Sequence, residues 1–457
     1  MKLYNKIFLL TLIVYCTSCK KFITVDPPDT QLTGKTVFSN DETALSAIYG
    51  LYSKMAQSPS GSFANYKITL YTGLSSDEFI DMSFDPSHIE FNHNSLLSTN
   101  RDIERLWNEG YTFIYSCNAI MEGISTSSSI SLPIKKQLEG EAKFLRGFLH
   151  FYLGALYGDV PYITSTDFEV NKSTSRLPLK EVYDHAIEDI AAASLLLPSN
   201  YNNLTDPKVR PTKWAAIAML SRLYLYEQNF SKAEEYSSML IDGSDGNFSI
   251  ETDLDDVFLR GSKEEIWQLA PVTSQYNTWD GYNFIPSSAP INIVLTNELI
   301  SSFEQGDKRK IYWIKPLQPD SAYYIPFKYK VRSGSTVTEF TSILRLAEQY
   351  LIRSESRANL NKLESAAEDL NVIRLRAGID ARIVNDKDSL LSLIERERRV
   401  ELFAELGHRW LDVIRTQKAD SIFGLIKGVN WQSYDIRYPV PQRELENNPA
   451  FIQNQGY

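Results

Sequence analysis

The sequence predicts a mainly α-helical fold: a tetratricopeptide-like scaffold of helical hairpins, interrupted by an irregular, loop-rich half with a few short strands. Three observations carry this. Apolar residues recur at helical spacing through most of the chain. Two helix pairs, Arg210–Asp242 and Thr341–Gly378, each set a small residue on the first helix against an alanine twelve positions on, Ser221 with Ala233 and Ser354 with Ala366. Between them, from Leu254 to Tyr329, the helical period lapses into mixed Pro, Gly, Ser, Trp and Tyr. Small residues where antiparallel helices cross let the backbones approach, which is the logic of a helical-repeat array. The two pairs lie 133 residues apart, so the array is interrupted.

In chain order, Asp41–Met55 is amphipathic, with Ala44, Ile48, Leu51 and Met55 on one face behind Asn40 or Asp41 as N-cap. Helices are predicted over Arg101–Ile124, Leu132–Tyr157, Glu181–Leu197, Thr212–Gln228 and Ser231–Asp242. They return over Thr341–Asn361, Leu363–Gly378 and Asp388–Gly407, before an extended, Pro-rich tail. Residues 36–457 read as one helical domain, with loop-rich regions at 71–100 and 254–330.

Composition narrows the function. At 457 residues with 43% hydrophobic and 23% charged residues, the chain is long and apolar enough for a substantial core and is not a disordered polyelectrolyte. A net charge of −10 argues against nucleic acid, which needs a basic surface, and favours neutral over acidic ligands. Three cysteines, Cys16, Cys19 and Cys117, cannot build a disulfide framework or a four-ligand zinc site.

The N-terminus reads as an export signal over residues 1–18. Lys2 and Lys6 form the positive region, and Ile7 to Tyr15 is an apolar run too short to span a bilayer. Thr17 and Ser18 then precede Cys19, the pattern of a thiol that is acylated as the chain is cut before it, although Cys16 stands where an aliphatic residue is usual. An ordinary secretory signal is the alternative. Processing removes two positive charges, and the acyl chains anchor a tether over 19–35 to the membrane.

Several constellations invite chemistry. Glu395–Arg399 (ERERR), with Glu401, Glu405 and Arg409, offers the carboxylates of a glycosidase. Helical spacing instead pairs Glu395 with Arg399, Glu405 with Arg409 and Arg398 with Glu401, and ion pairing lowers a carboxylate pKa, the wrong direction for a general acid. Gly407 is expected to cap that helix, leaving His408 or Arg409 near its negative end. His88 and His93 lack a third ligand nearby, and no GxSxG, P-loop or GxGxxG occurs. No catalytic residue, metal or cofactor is therefore expected. The best ligand candidate is Ser274–Pro290 (SQYNTWDGYNFIPSSAP), where Tyr276, Trp279, Tyr282 and Phe284 are spaced by polar or glycine residues. Flat rings on a loop stack on the apolar C–H faces of sugars, while Asn277, Asp280 and Asn283 bond hydroxyls, with Trp279 favoured over the tyrosines. The alternative is a loop folded back with Trp279 as a plug. A second candidate is the polar, acidic stretch Tyr71–Asn94, in which Asp81 and Asp85 offer calcium ligands without an EF-hand spacing.

Seven segments resemble the SusD/RagB family of surface lipoproteins. They are Thr36–Tyr52, Trp107–Ile120, Glu141–Ile163, Arg210–Ala233, Tyr350–Gly378, Leu391–Arg415 (LSLIERERRVELFAELGHRWLDVIR) and Arg437–Tyr457 (RYPVPQRELENNPAFIQNQGY). The last two in sequence are the most specific. The resemblance implies a tetratricopeptide-type scaffold with ligand loops and no catalysis. It also implies an outer-membrane, lipid-anchored protein that hands oligosaccharides to a SusC-like TonB-dependent transporter. Asp77 matches a position where the family commonly carries an aspartate in its first binding-face loop. Tyr312 and Trp313 match a helix end and are expected in the core, and the tail is expected to close the scaffold. A peptide- or protein-binding scaffold of the same fold is the alternative, and a glycan-cleaving enzyme a remoter one.

Overall fold

The computed structural model describes residues 34–57, 61–201, 208–244, 246–273, 275–287, 292–318 and 321–457. The signal, Cys19 and nearly all of the tether lie outside the described residues.

Among the described residues, helices set out the scaffold before and after the irregular insertion: α1 (Asp41–Ala56), α2 (Lys67–Ser75), α3 (Pro86–His93), α4 (Arg101–Thr126), α5 (Leu132–Tyr157), α6 (Leu179–Leu196), α7 (Lys213–Tyr226) and α8 (Phe230–Gly243) precede it, and after α9 (Trp279–Phe284) within it come α10 (Leu346–Asn359) and α11 (Leu363–Arg376). The chain closes with α12 (Lys387–Leu402), α13 (His408–Arg415), α14 (Ala419–Lys427) and α15 (Gln442–Asn447). Starts follow local capping. The Asn40 side chain accepts from Thr43 N at the head of α1, and that of Asn100 accepts from the backbone of Asp102 and Ile103 at the head of α4.

From α4 to α8 each helix packs on the next, then α8 packs on α10, α10 on α11, and α12 on both. The two predicted helix pairs are thus neighbours in space, although about a hundred residues separate α8 from α10. Ala233 and Ala366 are fully buried at the crossings. Their serine partners behave differently. Ser354 Oγ donates across its hairpin to Ala366 O at 2.6 Å, whereas Ser221 Oγ bonds Ala218 O in its own helix and Gln349 in α10.

Of the six strands among the described residues the insertion carries five, and the six join as three antiparallel pairs. β1 (Phe79–Asp81) pairs with β3 (Ile293–Leu295), Phe79 opposite Leu295. β2 (Glu265–Leu269) pairs with β6 (Thr341–Arg345), Glu265 opposite Arg345. β4 (Ile314–Pro316) pairs with β5 (Tyr324–Pro326). The helix predicted from Thr341 therefore begins only at Leu346. Residues 341–345 find a β partner in β2, and Arg345 ends the strand in extended geometry as the cap of α10. The predicted loop at 71–94 is also reassigned. It forms the end of α2, β1 and α3, and residues 71–75 are buried.

A buried ionic cluster ties the insertion to the helices. Glu401 of α12 accepts from Arg309 Nη1 at 2.8 Å, Arg345 Nη1 at 2.6 Å and Arg376. Glu405 holds Arg345 Nε at 2.7 Å and Lys328. Glu264 takes Arg345 at 2.9 Å and Arg376 at 3.1 Å. Trp313 is wholly buried in the middle, with Lys328 Nζ 4.7 Å and the Arg376 guanidinium 5.4 Å from its ring centre. Tyr312, beside it, is more than a third exposed rather than in the core. The ERERR carboxylates are thus ion-paired as predicted, but between elements rather than along the helix: Arg398 holds Asp412, and Glu395 holds Lys418.

The predicted helix through Gly407 stops at Leu402. Ala404, Leu406 and Gly407 adopt positive φ, and Gly407 heads α13 instead of closing α12. A Cβ on Gly407 would lie 2.7 Å from Thr72 Oγ1, so the turn presses on α2 where only glycine fits. His408 and Arg409 therefore sit at the positive start of a helix, not at a negative end. The tail closes the scaffold as expected: Tyr438 N donates to Leu156 O, and Asn454 Nδ2 donates to Tyr157 O and Tyr438 O, both at 2.7 Å.

Removing one member of a buried, paired set strands its partners. Glu401→Ala is expected to cost about 3–5 kcal/mol of unfolding free energy by urea titration. Glu364→Ala, on an exposed face, should change it by no more than ~0.5 kcal/mol.

Candidate functional site

The aromatic segment lies at the head of α9, against α1 and the 330–339 loop. Thr278 caps the helix by accepting from Gly281 N at 2.9 Å. Gly281 has no side chain because a Cβ there would lie 2.7 Å from Val331 O, so α9 and the 331 segment touch backbone to backbone. The loop is fixed from within: Glu339 accepts from Lys330 N at 2.6 Å and Val331 N at 3.1 Å, and Gly334 N donates to Gln275 O at 2.9 Å.

This packing redistributes the predicted roles. Trp279 is 6% exposed and its indole N–H donates to Ala56 O at 2.7 Å, which makes it the plug and not the platform. Asn277 is 1% exposed, and its Oδ1 accepts from Thr338 N at 2.6 Å and Glu339 N at 2.8 Å. It clamps the loop and leaves no amide for a sugar hydroxyl. Asp280 is also buried. Burial raises its carboxyl pKa from 3.8 to about 7, its own backbone N–H opposing and the Glu405 charge adding. Asn283 is half-buried, donating to Trp279 O at 2.7 Å.

Tyr276 and Tyr282 are half-buried, packed edge to face with ring centres 4.7 Å apart over Trp279. The Arg332 guanidinium lies 4.4 Å from the centre of the Tyr282 ring. The surface feature is therefore two tyrosines and an arginine seated on a buried tryptophan. Arg332 was missed in the sequence: it stands alone in a Ser/Gly-rich stretch, 50 positions from Tyr282, and nothing local pairs the two.

Asp77, the other candidate, is 1% exposed just before β1. It accepts from Arg399 at 2.6 Å and from Arg409 Nε and Nη2 at 2.8 and 3.0 Å. Burial pushes its carboxyl up, but the Arg409 hydrogen bonds and the charges of Arg409 and Arg399 leave it below its ordinary value. It holds arginines and has no direct path to a ligand. Asp81 is engaged by His88 at 2.5 Å, and Asp85 caps α3 through Ser87 N. Among the described residues no group of three His, Cys, Asp or Glu side chains is arranged to hold a metal ion.

Stacked helical hairpins with an irregular insertion that displays a tyrosine–arginine surface define a helical-repeat scaffold. A family model described as "Starch-binding associating with outer membrane" matches residues 21–225, and one described as "SusD family" matches residues 320–457. The chain belongs to the SusD family. SusD-like protein P25 of Formosa agariphila is 23% identical over the full length of both chains. The starch-binding protein SusD of Bacteroides thetaiotaomicron is 33% identical over 122 residues, 25% of this chain and 21% of that one. Among solved structures, a SusD superfamily protein from Bacteroides vulgatus superposes with a TM-score of 0.81 at 18% identity, covering 92% of this chain and all of the other. A laminarin-binding SusD-like protein matches with a TM-score of 0.76 at 22% identity, covering 92% and 100%.

The raised Asp280 carboxyl has a readable consequence. Its proton stays on the folded chain up to about pH 7, while the unfolded chain releases it near 3.8. Its contribution to stability is therefore complete below pH 3.8 and is lost as pH rises to about 7. Asp280→Asn is expected to flatten the fall in Tm across this window relative to the parent chain. An unchanged slope would mean that Asp280 does not carry the proton.

Proposed function

We propose that the chain is a non-catalytic surface lipoprotein that binds oligosaccharides and passes them to a SusC-like TonB-dependent transporter. The observation that carries the ligand reading is the half-buried Tyr276–Tyr282 pair at the surface, with Arg332 over the Tyr282 ring. A sugar's C–H face lies flat on a tyrosine ring, and the phenol and guanidinium reach its hydroxyls from the edge. The names of the starch-binding and laminarin-binding relatives support glycans as the ligand class. The glycosidase reading of the ERERR region loses its carboxylates: burial acts to raise Glu401, Glu405 and Asp412, but the cations packed on them hold all three below their ordinary values, so none of the three is poised as a general acid.

Anchoring through Cys19 completes this reading. No helix among the described residues is long and apolar enough to cross a membrane, and in this reading the acyl chains on Cys19 supply the attachment. Lipid attachment to Cys19 and capture of a β-barrel partner during gentle purification are its two cell-level marks.

Affinity electrophoresis against a panel of polysaccharides tests the ligand site. Tyr282→Ala is expected to weaken retardation by the bound glycan about tenfold. Trp279→Phe, which refills the core, should retain most of it, and no product should form on incubation. Equal retardation of Tyr282→Ala and the parent would move the site elsewhere, and no retardation by any glycan would favour a peptide ligand. In cells, Cys19→Ala is expected to abolish incorporation of labelled palmitate and release the chain from the membrane fraction; persistent labelling would reassign the anchor.

A further inference from the structure

The Asp77 arginines face a cavity that the glycan reading does not use. It has a volume of about 270 Å³ and opens to solvent between Ser301–Ser302 and the outer faces of α12 and α13. Arg396, Arg399 and Arg409 line it, with Glu395 as the acid among its lining residues. Glu395 is already engaged by Lys418 and lies 3.6 Å from Arg409 Nη1. Ser302 and Ser392 turn their hydroxyls back onto Glu298 O and Asp388 O, so the arginines are the donors left to the cavity.

Charge is unevenly shared there. One carboxylate, Asp77, holds both Arg399 and Arg409, and the buried Lys427 also leans on its field. Arg399 Nε has no hydrogen-bond partner among the described residues. Burial pulls the Arg399 guanidinium below its ordinary pKa and the neighbouring Arg409 charge adds to this, with Asp77 first and then Glu78 and Glu298 opposing. At the mouth Arg396 is half-exposed, its Nε donating to Ser302 O at 2.9 Å and its Nη1 4.0 Å from Glu304.

We infer that this cavity is an oxyanion subsite that takes a carboxylate or sulfate group, such as an acidic sugar carries. Guanidinium forks match both groups in shape and charge. The volume suits one substituent with part of its sugar and not a chain. The net charge of −10 does not forbid this, because its repulsion is screened beyond about 8 Å in physiological salt while the arginines act at contact. Only the step from free oxyanion to acidic sugar rests on the glycan reading.

Calorimetric titration of the purified chain with sodium sulfate, sodium glucuronate and glucose, at ionic strength held constant with chloride, tests it. Sulfate and glucuronate are expected to bind saturably at one site, and glucose not at this site. Arg396→Gln and Arg399→Gln should each weaken the anions about tenfold, with Tyr282→Ala leaving them unchanged. Arg396 is at the surface, so its variant keeps the test valid if Arg399→Gln fails to fold. Absence of saturable binding, or anion binding undiminished in both arginine variants, overturns the subsite. Saturable sulfate without glucuronate overturns the acidic-sugar step alone. Loss of glycan retardation in Tyr282→Ala with anion binding intact shows the two sites to be separate.

Discussion

The irregular insertion is seated on the helices through Arg345. Its guanidinium meets Glu264, Glu401 and Glu405 at once, bringing together the strand β2, the end of α12 and the turn that follows it. Arg309 and Lys328, both in the insertion, reach the same two glutamates of the C-terminal segment. Charges buried this deeply lose much of their hydration, and their mutual attraction roughly restores it, so the cluster is a poor source of net stability. Its value is specificity. An insertion of short strands and single helical turns has few large apolar faces, and a set of directional, mutually dependent ion pairs gives it one seat on the scaffold.

The same economy shapes the surface. Trp279 and Asn277, whose chemistry suits a sugar, are spent on joining α1 and the 330–339 loop. Asp77 is spent on holding Arg399 and Arg409. What reaches solvent is the layer these residues carry: Tyr276, Tyr282 and Arg332 in one place, the arginine-lined cavity in another. The residues that look functional by type are the supports, and the groups left at the surface are their neighbours.

Local signals explain what could be read in advance. The span of α5 is legible to the residue, because Ser131 and Pro133 start it and the turn at Gly158 ends it. The asparagine caps at 40 and 100 are equally local. The errors follow long-range partners. Residues 341–345 are a strand only because β2 lies beside them, and Trp279 is a plug only because Ala56 O, 223 positions away, accepts its N–H. Asp77 meets its arginines across more than 300 positions. In ERERR the charge pairing is visible in the sequence but the partners are not, since spacing along one helix says nothing of Asp412 or Lys418 arriving from the next.

The direct packing of α8 on α10 means that the insertion leaves and re-enters the helical stack at nearly the same place. A segment whose ends are already brought together is a cassette: lengthening it adds closure entropy only as the logarithm of its length. What lies between can change provided that Glu264, Arg309 and Lys328 keep their places in the ionic seat, Trp279 keeps its bond to Ala56 O and β3 keeps its pairing with β1. Exchange of the stretches between those anchors is a route to a different ligand on an unaltered frame, by evolution or by design.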